Sequence, residues 1–531
     1  MKASYMRRRT VIVTLLLLVF SIQSIASIVT KSATFDEVQN YGMGKYLLLN
    51  QKWDVMGAIM HPPLSFYLSS IPLLFFDEDK SLWKYEEKNR DLTFLAAVDA
   101  YRGQELLSGS QNAHDKLLIL SRLMVLLTSV LLGYYIYRFS SELYGVNCGI
   151  TSLFFYSFCP NMLAYSGIIT PDMPLTVFSF IALYYFWSFL KIHTTKSAIS
   201  AGLTLGLALS TKFTALLLIP YQLAMYAGHR AKEKQRITVQ IFILLCIAAC
   251  VFMLSYGFNI VPFIQGNEHR LTQMGAGFST FLNGNYSVHG WWYFYPVVFL
   301  LKTPVPILLL LFTALLYCWK KRRDGWFDAV YLLFLIVALF AVFCSSSFAV
   351  GVRYLLPVYP CIFVLIGGLW HYENRIRYLI YVMALWHVAA ALYIAPHYLA
   401  YFNELVGGPN NGYKYLVDSN LDWGQDLKGL KKYMDEHGIK RISLSYFGID
   451  SPKRYGIDYD WLPSHHLYNP QPENEKNFPP NRFLAISATN LQGVYLEPKD
   501  MFKWLQNYKP VAKIGYSIFV YDLKDYMPGL R

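Results

Sequence analysis

The chain has 531 residues, 55% of them hydrophobic and 15% charged, a balance that excludes a single soluble globular domain. Its formal net charge of +13 would suit nucleic acid, but the basic residues fall between apolar segments rather than in one stretch, so charge reports topology and no nucleic-acid partner. All seven cysteines lie in or at the ends of apolar segments, which leaves neither a disulfide framework nor a zinc pattern.

In chain order, hydropathy predicts about eleven spans of roughly 20 apolar residues, the length a bilayer requires. They cover 10–29, 117–138, 147–166, 173–190, 198–211, 213–228, 237–260, 293–318, 326–345, 354–370 and 377–395. The fifth and sixth are short and read as a broken pair joined by Ser210-Thr211-Lys212. Basic residues at Arg7-Arg8-Arg9, Arg138, Lys191/Lys196, Arg230–Arg236, Lys320–Arg323 and Arg375/Arg377 occupy alternate loops. The positive-inside rule makes those loops cytoplasmic, puts the N-terminus inside and leaves the C-terminal tail outside. Residues 1–27 also fit a secretory signal peptide, with the same topology downstream. Cys246 and Cys250 share a helix face and read as packing residues. Cysteines introduced near Gly109 and Tyr455 are expected to react with a membrane-impermeant reagent in intact spheroplasts, and one near Lys321 is not; labelling at 321 without 455 inverts the topology.

Three parts follow: a large external loop over 31–116, the bundle to residue 395, and a polar tail, 396–531. In the loop, Thr34-Phe35-Asp36-Glu37 reads as a capping box, with Glu37 reaching back to Thr34. That leaves Asp36 to accept a proton from an attacking hydroxyl, with Glu37 the second candidate acid. His61-Pro62-Pro63-Leu64 is either a rigid turn or places His61 to donate to a phosphate near a helix start. The apolar stretch Pro62–Phe76 is too short to span and is expected to lie along the interface or re-enter. Asp172, in Thr170-Pro171-Asp172-Met173-Pro174, either caps the fourth span or supplies a second acid on the face of Asp36. Lys212, Lys302, Arg353 and Arg122 are cations in apolar context, either binding a lipid phosphate or paired with Asp36, Asp172 or Glu268.

In the tail, Asp426–His437 reads as an amphipathic helix and Pro498–Tyr508 as a second one. Arg441–Phe447, Arg482–Ala488 and Val511–Tyr521 read as strands, and 450–481 as a long loop, so a small α/β or α+β domain is expected. Asp418-Ser419-Asn420-Leu421-Asp422-Trp423-Gly424-Gln425-Asp426 spaces oxygens like a calcium loop. Its glycine is one place late, and Gly429 stands where a bidentate Glu is required, so a structural turn is the better reading. No Gly-rich phosphate loop, Walker motif or nucleophile elbow is present, and a soluble nucleotide sugar has no visible site.

The Asp-Glu pair after the first span, His-Pro-Pro-Leu, the Pro-Asp-x-Pro turn and Leu-Ser-Thr-Lys-Phe resemble, in order and topology, the protein O-mannosyltransferase-like glycosyltransferases of the GT-C class, to which the aminoarabinose lipid A transferases are related. The tail from Tyr401-Phe402-Asn403-Glu404 to Asp426 is similar to bacterial phospholipid-carrier-dependent members. The resemblance implies a polytopic α-helical GT-C membrane domain over 1–395 with a small extracytoplasmic α/β domain over 396–531, in a bacterial inner membrane. It implies Asp36 as the catalytic acid, Asp172 as the second, His61 in the Pro-Pro element, and Lys212 and Arg353 as contacts to the donor phosphate. Two departures matter. No repeat resembles the extra carbohydrate-binding module of eukaryotic protein mannosyltransferases, and Met60-His61 stands where the aminoarabinose transferases have Glu-Lys. The second removes a metal-binding Glu.

The combined expectation is an inverting glycosyltransferase moving a sugar from a polyprenyl-phosphate donor in the membrane lipid to an acceptor protein, glycan or lipid outside the cytoplasm. No cofactor is required, because phosphate is already a good leaving group. The rival is a flippase or transporter for the same lipid. It would set ionisable residues near the midplane between repeated halves, whereas here they gather at one face and no repeat is evident.

Overall fold

The computed structural model describes residues 2–53, 59–76, 83, 92–108, 111–232, 239–320, 326–465 and 481–524. Parts of the external loop, the basic stretches around 233–238 and 321–325, and the labelling positions Gly109 and Lys321 lie outside the described residues.

The predicted apolar segments fall on helices, but continuity is lower than hydropathy suggested. Among the described residues five helices are long and apolar enough to cross a membrane: Arg7–Thr30, Asp115–Tyr144, Asp172–Ile192, Phe327–Ser345 and Asn374–Ile394. A sixth is the pair Phe294–Lys302 and Val305–Trp319, bent by 114° at Thr303-Pro304. The expected eleven is therefore corrected to five or six. A hydropathy window sums apolarity and does not see a break. Cys159-Pro160 interrupts 146–165, and Ser210-Thr211-Lys212 separates helix Thr195–Leu209 from a 3₁₀ turn Phe213–Leu217. Helix Val358–Gly368 is only 11 residues and is buried along its whole length, so protein rather than lipid surrounds it.

The N-terminal helix Lys2–Thr30 packs into the bundle. Phe20 is fully buried and stacks on Tyr156 at 4.8 Å, and the Ser166 hydroxyl bonds Ser24 at 2.8 Å. Leu15, Val337 and Leu385 are exposed on the outside of the bundle, as lipid-facing residues are. Cys246 and Cys250 are exposed too, which corrects their reading as packing residues. Pro62–Phe76 forms helix Leu64–Ser70 and a 3₁₀ turn Pro72–Phe75. The polar connection after residue 260 folds as helix Val261–Ala276 and a hairpin of β1 (Thr280–Leu282) and β2 (Asn285–Ser287).

The tail holds a five-stranded mixed sheet of β3 (Arg441–Ser445), β4 (Asp458–Trp461), β5 (Phe483–Ser487), β6 (Ala512–Ile514) and β7 (Ile518–Asp522), in the order β4-β3-β5-β7-β6. The β3 strand runs parallel to β4 and β5, and β7 antiparallel to β5 and β6. Leu427, Leu430 and Met434, one face of helix Leu427–Glu436, pack on Ile442, Leu444, Ala485, Ile518 and Val520. Three expectations are corrected. Val511–Tyr521 is two strands turned at Gly515-Tyr516, and Pro498–Tyr508 yields only the 3₁₀ turn Lys503–Asn507. The loop over 450–481 contributes the edge strand β4, while 466–480 lies outside the described residues.

Asp422 is fully buried beneath this domain, its Oδ2 accepting the Thr489 N–H at 2.9 Å. Burial pushes its pKa up to about 7, against roughly 3.9 for a free Asp. The folded state thus keeps a proton that the unfolded chain releases, and stability falls as pH rises from about 4 through about 7. Asp422→Asn is expected to raise the melting temperature at pH 8 and leave it little changed at pH 4. A shift of equal size at both pH values would assign the effect to packing instead.

Candidate active site

The segment that carries the acids is stitched to the tail. Ser32 N–H donates to Gln425 O at 2.9 Å and Phe35 N–H to Trp423 O at 2.8 Å. The Ser32 hydroxyl donates to Gly424 O and accepts the Leu427 N–H, both at 3.0 Å. Lys31 Nζ lies 2.5 Å from Asp426 Oδ1, whose other oxygen accepts the Ser517 hydroxyl at 2.6 Å. Gly424 sits at φ +84°, and a Cβ there would come within 2.6 Å of the Tyr446 hydroxyl. The calcium-like spacing of this segment is therefore a clamp: Asp418 lines a cavity, Asp422 bonds Thr489, and Asp426 anchors Lys31.

From that clamp springs the short helix Phe35–Asn40, and its two adjacent acids diverge. Glu37 is fully buried and saturated. It takes Arg122 Nε at 2.9 Å and Nη2 at 2.7 Å, the Ile169 N–H at 3.1 Å and the Thr34 N–H at 2.8 Å. Asp36 is part-exposed to a cavity of about 340 Å³ and takes Arg353 Nη1 on Oδ2 at 2.6 Å. Among the described residues its Oδ1 has no hydrogen bond.

The cavity brings together Asp36, His61, Asp172, Lys212 and Arg353. Leu64 N–H donates to Ser210 O at 2.9 Å, tying the Pro-Pro element to the break that presents Lys212. Lys212 Nζ bonds Asp172 Oδ1 at 2.5 Å and lies 4.0 Å over the Tyr354 ring. Arg353 lies 3.9 Å from Asp172 as well and packs 4.6 Å over Trp423. Gly351, at φ +144°, fixes its approach: a Cβ would sit 2.3 Å from Asn420 Oδ1, which accepts the Val352 N–H at 2.9 Å. Asp172 opens helix Asp172–Ile192 as its first residue, with Pro171 at the N-cap.

Three placements differ from the sequence reading. Arg122 does not line this cavity: it pairs with Glu37 and donates to the carbonyls of Ile28, Lys31 and Ser32 at 2.8–3.0 Å. Lys302 is likewise turned inward, donating to Leu399 O at 2.9 Å and Asn420 O at 2.5 Å, and does not line the cavity. Glu37 is turned to Arg122 and to backbone N–H groups and does not line the cavity. Among the described residues no group of three His, Cys, Asp or Glu side chains is placed to hold a metal.

Arg270 was not singled out from the sequence because it lies in a polar stretch without a motif. The available signal was a helix bounded by Pro262 and Gly277. Its Nη2 lies 3.1 Å from His61 Nε2 and 3.3 Å from Met60 O, and among the described residues it has no carboxylate partner. Desolvation, together with the charge of Arg353, lowers its pKa. Arginine offers only donors, so His61 Nε2 accepts and the ring proton resides on Nδ1, which is buried without a partner. Burial first, then the charges of Arg270, Lys212 and Arg353, holds the His61 pKa well below its usual value and keeps the ring neutral.

A second cavity of about 290 Å³ adjoins the first, walled by apolar residues including Phe213, Leu216, Leu217, Leu271 and Phe343. The two share His61, Lys212, Arg270, Phe348 and Tyr354. A row of donors thus divides an acidic, aromatic chamber from an apolar one.

No curated protein matches the sequence. The family model described as dolichyl-phosphate-mannose-protein mannosyltransferase matches residues 114–256, under half of the chain. Among solved structures, the chain is similar to ArnT from Cupriavidus metallidurans bound to undecaprenyl phosphate, with 12% identity and a TM-score of 0.50 over 96% of this chain and 97% of that one. The same protein in the apo state gives 12% identity and 0.48 over 97% and 98%. The Archaeoglobus fulgidus oligosaccharyltransferase in the apo form gives 14% identity and 0.40 over 72% and 54%. The first of these, matched along almost its whole length, shows a common fold and nothing of sugar or acceptor. The chain is a polytopic α-helical membrane protein with a C-terminal sheet domain, and it shares the fold of ArnT.

Proposed function

We propose that the protein is an integral-membrane glycosyltransferase that takes a sugar from a polyprenyl-phosphate donor and passes it, with inversion, to a hydroxyl on the extracytoplasmic side. The observation that carries this reading is the row of donors shared by the two cavities. An isoprenyl chain suits the apolar chamber, a sugar suits the acidic one, and the phosphate between them meets Lys212 Nζ, Arg270 and His61 Nδ1–H. Arg270, with no carboxylate partner among the described residues, is a cation awaiting an anion. ArnT, whose fold this chain shares, was solved with undecaprenyl phosphate bound.

Asp36 then accepts the proton of the acceptor hydroxyl as that oxygen bonds to the anomeric carbon, while the bond from that carbon to the phosphate oxygen breaks on the opposite face. Charge developing on the departing phosphate is met by donors already fixed in place, which is where electrostatic preorganisation contributes most. Arg353 acts on Asp36 as a positioning residue, holding Oδ2 and leaving Oδ1 for the acceptor. Asp172 holds Lys212 at the boundary. Lys302 and Arg122 have structural roles only. The test is mass spectrometry of surface glycans and glycoproteins from cells with and without the protein, paired with undecaprenyl phosphate binding to the purified full-length chain. The expected result is one missing sugar and saturable binding. Binding with no altered glycan would favour a flippase.

A further inference from the structure

The wall of the acidic chamber farthest in kind from a phosphate site is aromatic and comes mainly from the tail domain. Phe447 and Tyr495 have ring centroids 5.5 Å apart with planes inclined by 10°, and His465 and Tyr495 are 4.9 Å apart at 16°. Phe35, the neighbour of Asp36, joins them 5.4 Å from Phe447 at 24°. All four rings line the chamber, and none lines the apolar one. At their edge the Tyr495 hydroxyl donates to Asp418 Oδ2, while the other carboxylate oxygen accepts the Ser419 N–H. Asp418 itself is held at φ +56°, a left-handed conformation that costs a residue with a Cβ. The Thr489 hydroxyl, accepting its N–H at 3.0 Å, helps to fix it there.

This chemistry selects its ligand. A carboxylate beside Asp36 repels a phosphate, and a polar edge is wrong for an isoprenyl chain. Near-parallel rings with a carboxylate and a phenol at their rim suit a ligand with apolar C–H faces and a hydroxyl periphery. We infer that Phe35, Phe447, His465 and Tyr495 form a stacking platform for a pyranose ring, with Asp418 and Tyr495 bonding its hydroxyls, so that the tail domain helps to set sugar specificity. The order tail, phosphate, sugar, platform rests on the function proposed above. The existence of the platform does not.

The test uses the full-length protein in detergent, with three probes: undecaprenyl phosphate, undecaprenyl phosphate esterified with a hexose, and a panel of free methyl pyranosides followed by saturation-transfer NMR. Phe447 is deeply packed, so His465→Ala and Tyr495→Leu are the variants, each checked for an unchanged melting temperature. Both are expected to leave undecaprenyl phosphate affinity unchanged and to weaken a sugar-bearing probe by roughly three- to tenfold, the scale of one lost aromatic contact. Weakening of the hexosyl carrier assigns the donor sugar to the platform; weakening of methyl pyranosides alone assigns the acceptor sugar. Tyr495→Phe keeps the ring and removes the bond to Asp418, and should lose less than Tyr495→Leu; it serves alone if the leucine variant unfolds. Unchanged affinity for every sugar-bearing probe in folded variants overturns the platform. If the wild type ignores undecaprenyl phosphate yet binds pyranosides through these rings, the platform stands and the carrier reading falls.

Discussion

Asp36→Asn is expected to lower turnover by about two to four orders of magnitude, the scale of general base catalysis, without unfolding the protein or weakening undecaprenyl phosphate binding. The amide keeps the volume and an oxygen for Arg353, but it removes the basic site. Its neighbour should fail differently. Glu37 carries four hydrogen bonds, two of them from Arg122, in complete burial. Glu37→Gln leaves the Arg122 guanidinium buried without its counter-charge, a loss on the order of 3–5 kcal/mol. The expected result is therefore reduced yield and a lower melting temperature, with turnover per folded molecule largely kept. Melting curves and single-turnover rates on purified variants separate the two. Equal loss of turnover per folded molecule from both variants would remove the division of roles, and so would an Asp36→Asn enzyme with normal rate.

That division was half legible in the sequence. The capping-box pattern correctly returned Glu37 to the Thr34 backbone and set Asp36 free, because capping depends on spacing along one helix. What the pattern lacked was Arg122, 85 positions away, which makes Glu37 a core residue. The cations show the same limit. Arg122, Lys212, Lys302 and Arg353 look alike in a sequence, since a buried cation announces only that it has a partner. Three dimensions sort them: carbonyls for Lys302, Glu37 for Arg122, and the chamber for the other two. The tail was misread where strands are short, because Val511–Tyr521 is one apolar run whose turn at Gly515-Tyr516 breaks it into two strands. The Asp418–Asp426 segment resembled an ion-binding loop because clamps and ion sites draw on the same residues. The late glycine and Gly429 already argue for a turn, and the direction of each carboxylate shows the clamp.

Arg270→Gln is expected to stabilise the ligand-free protein slightly while weakening undecaprenyl phosphate by roughly ten- to a hundredfold, the range of one charge-assisted hydrogen bond. The two signs follow from one fact. A guanidinium drawn from water without a carboxylate costs free energy in the empty site, and desolvation already lowers its pKa. A phosphate returns more than that cost, because the bond forms where little water competes. Lys212→Gln should also weaken the ligand but must destabilise the empty protein, since it strands Asp172, which is buried and paired to Lys212 at 2.5 Å. Arg353→Lys should leave undecaprenyl phosphate affinity near normal and lower turnover. Arg353 lines only the acidic chamber, and lysine cannot both reach Asp36 and lie flat over Trp423. Melting temperatures with and without undecaprenyl phosphate read all three variants at once. The wild type should gain a ligand-dependent shift, Arg270→Gln should start higher and gain little, Lys212→Gln should start lower and gain little, and Arg353→Lys should gain as the wild type does. An Arg270→Gln variant that melts lower than wild type without ligand and still gains the full shift would make Arg270 a structural cation and move the phosphate away from the boundary between the chambers.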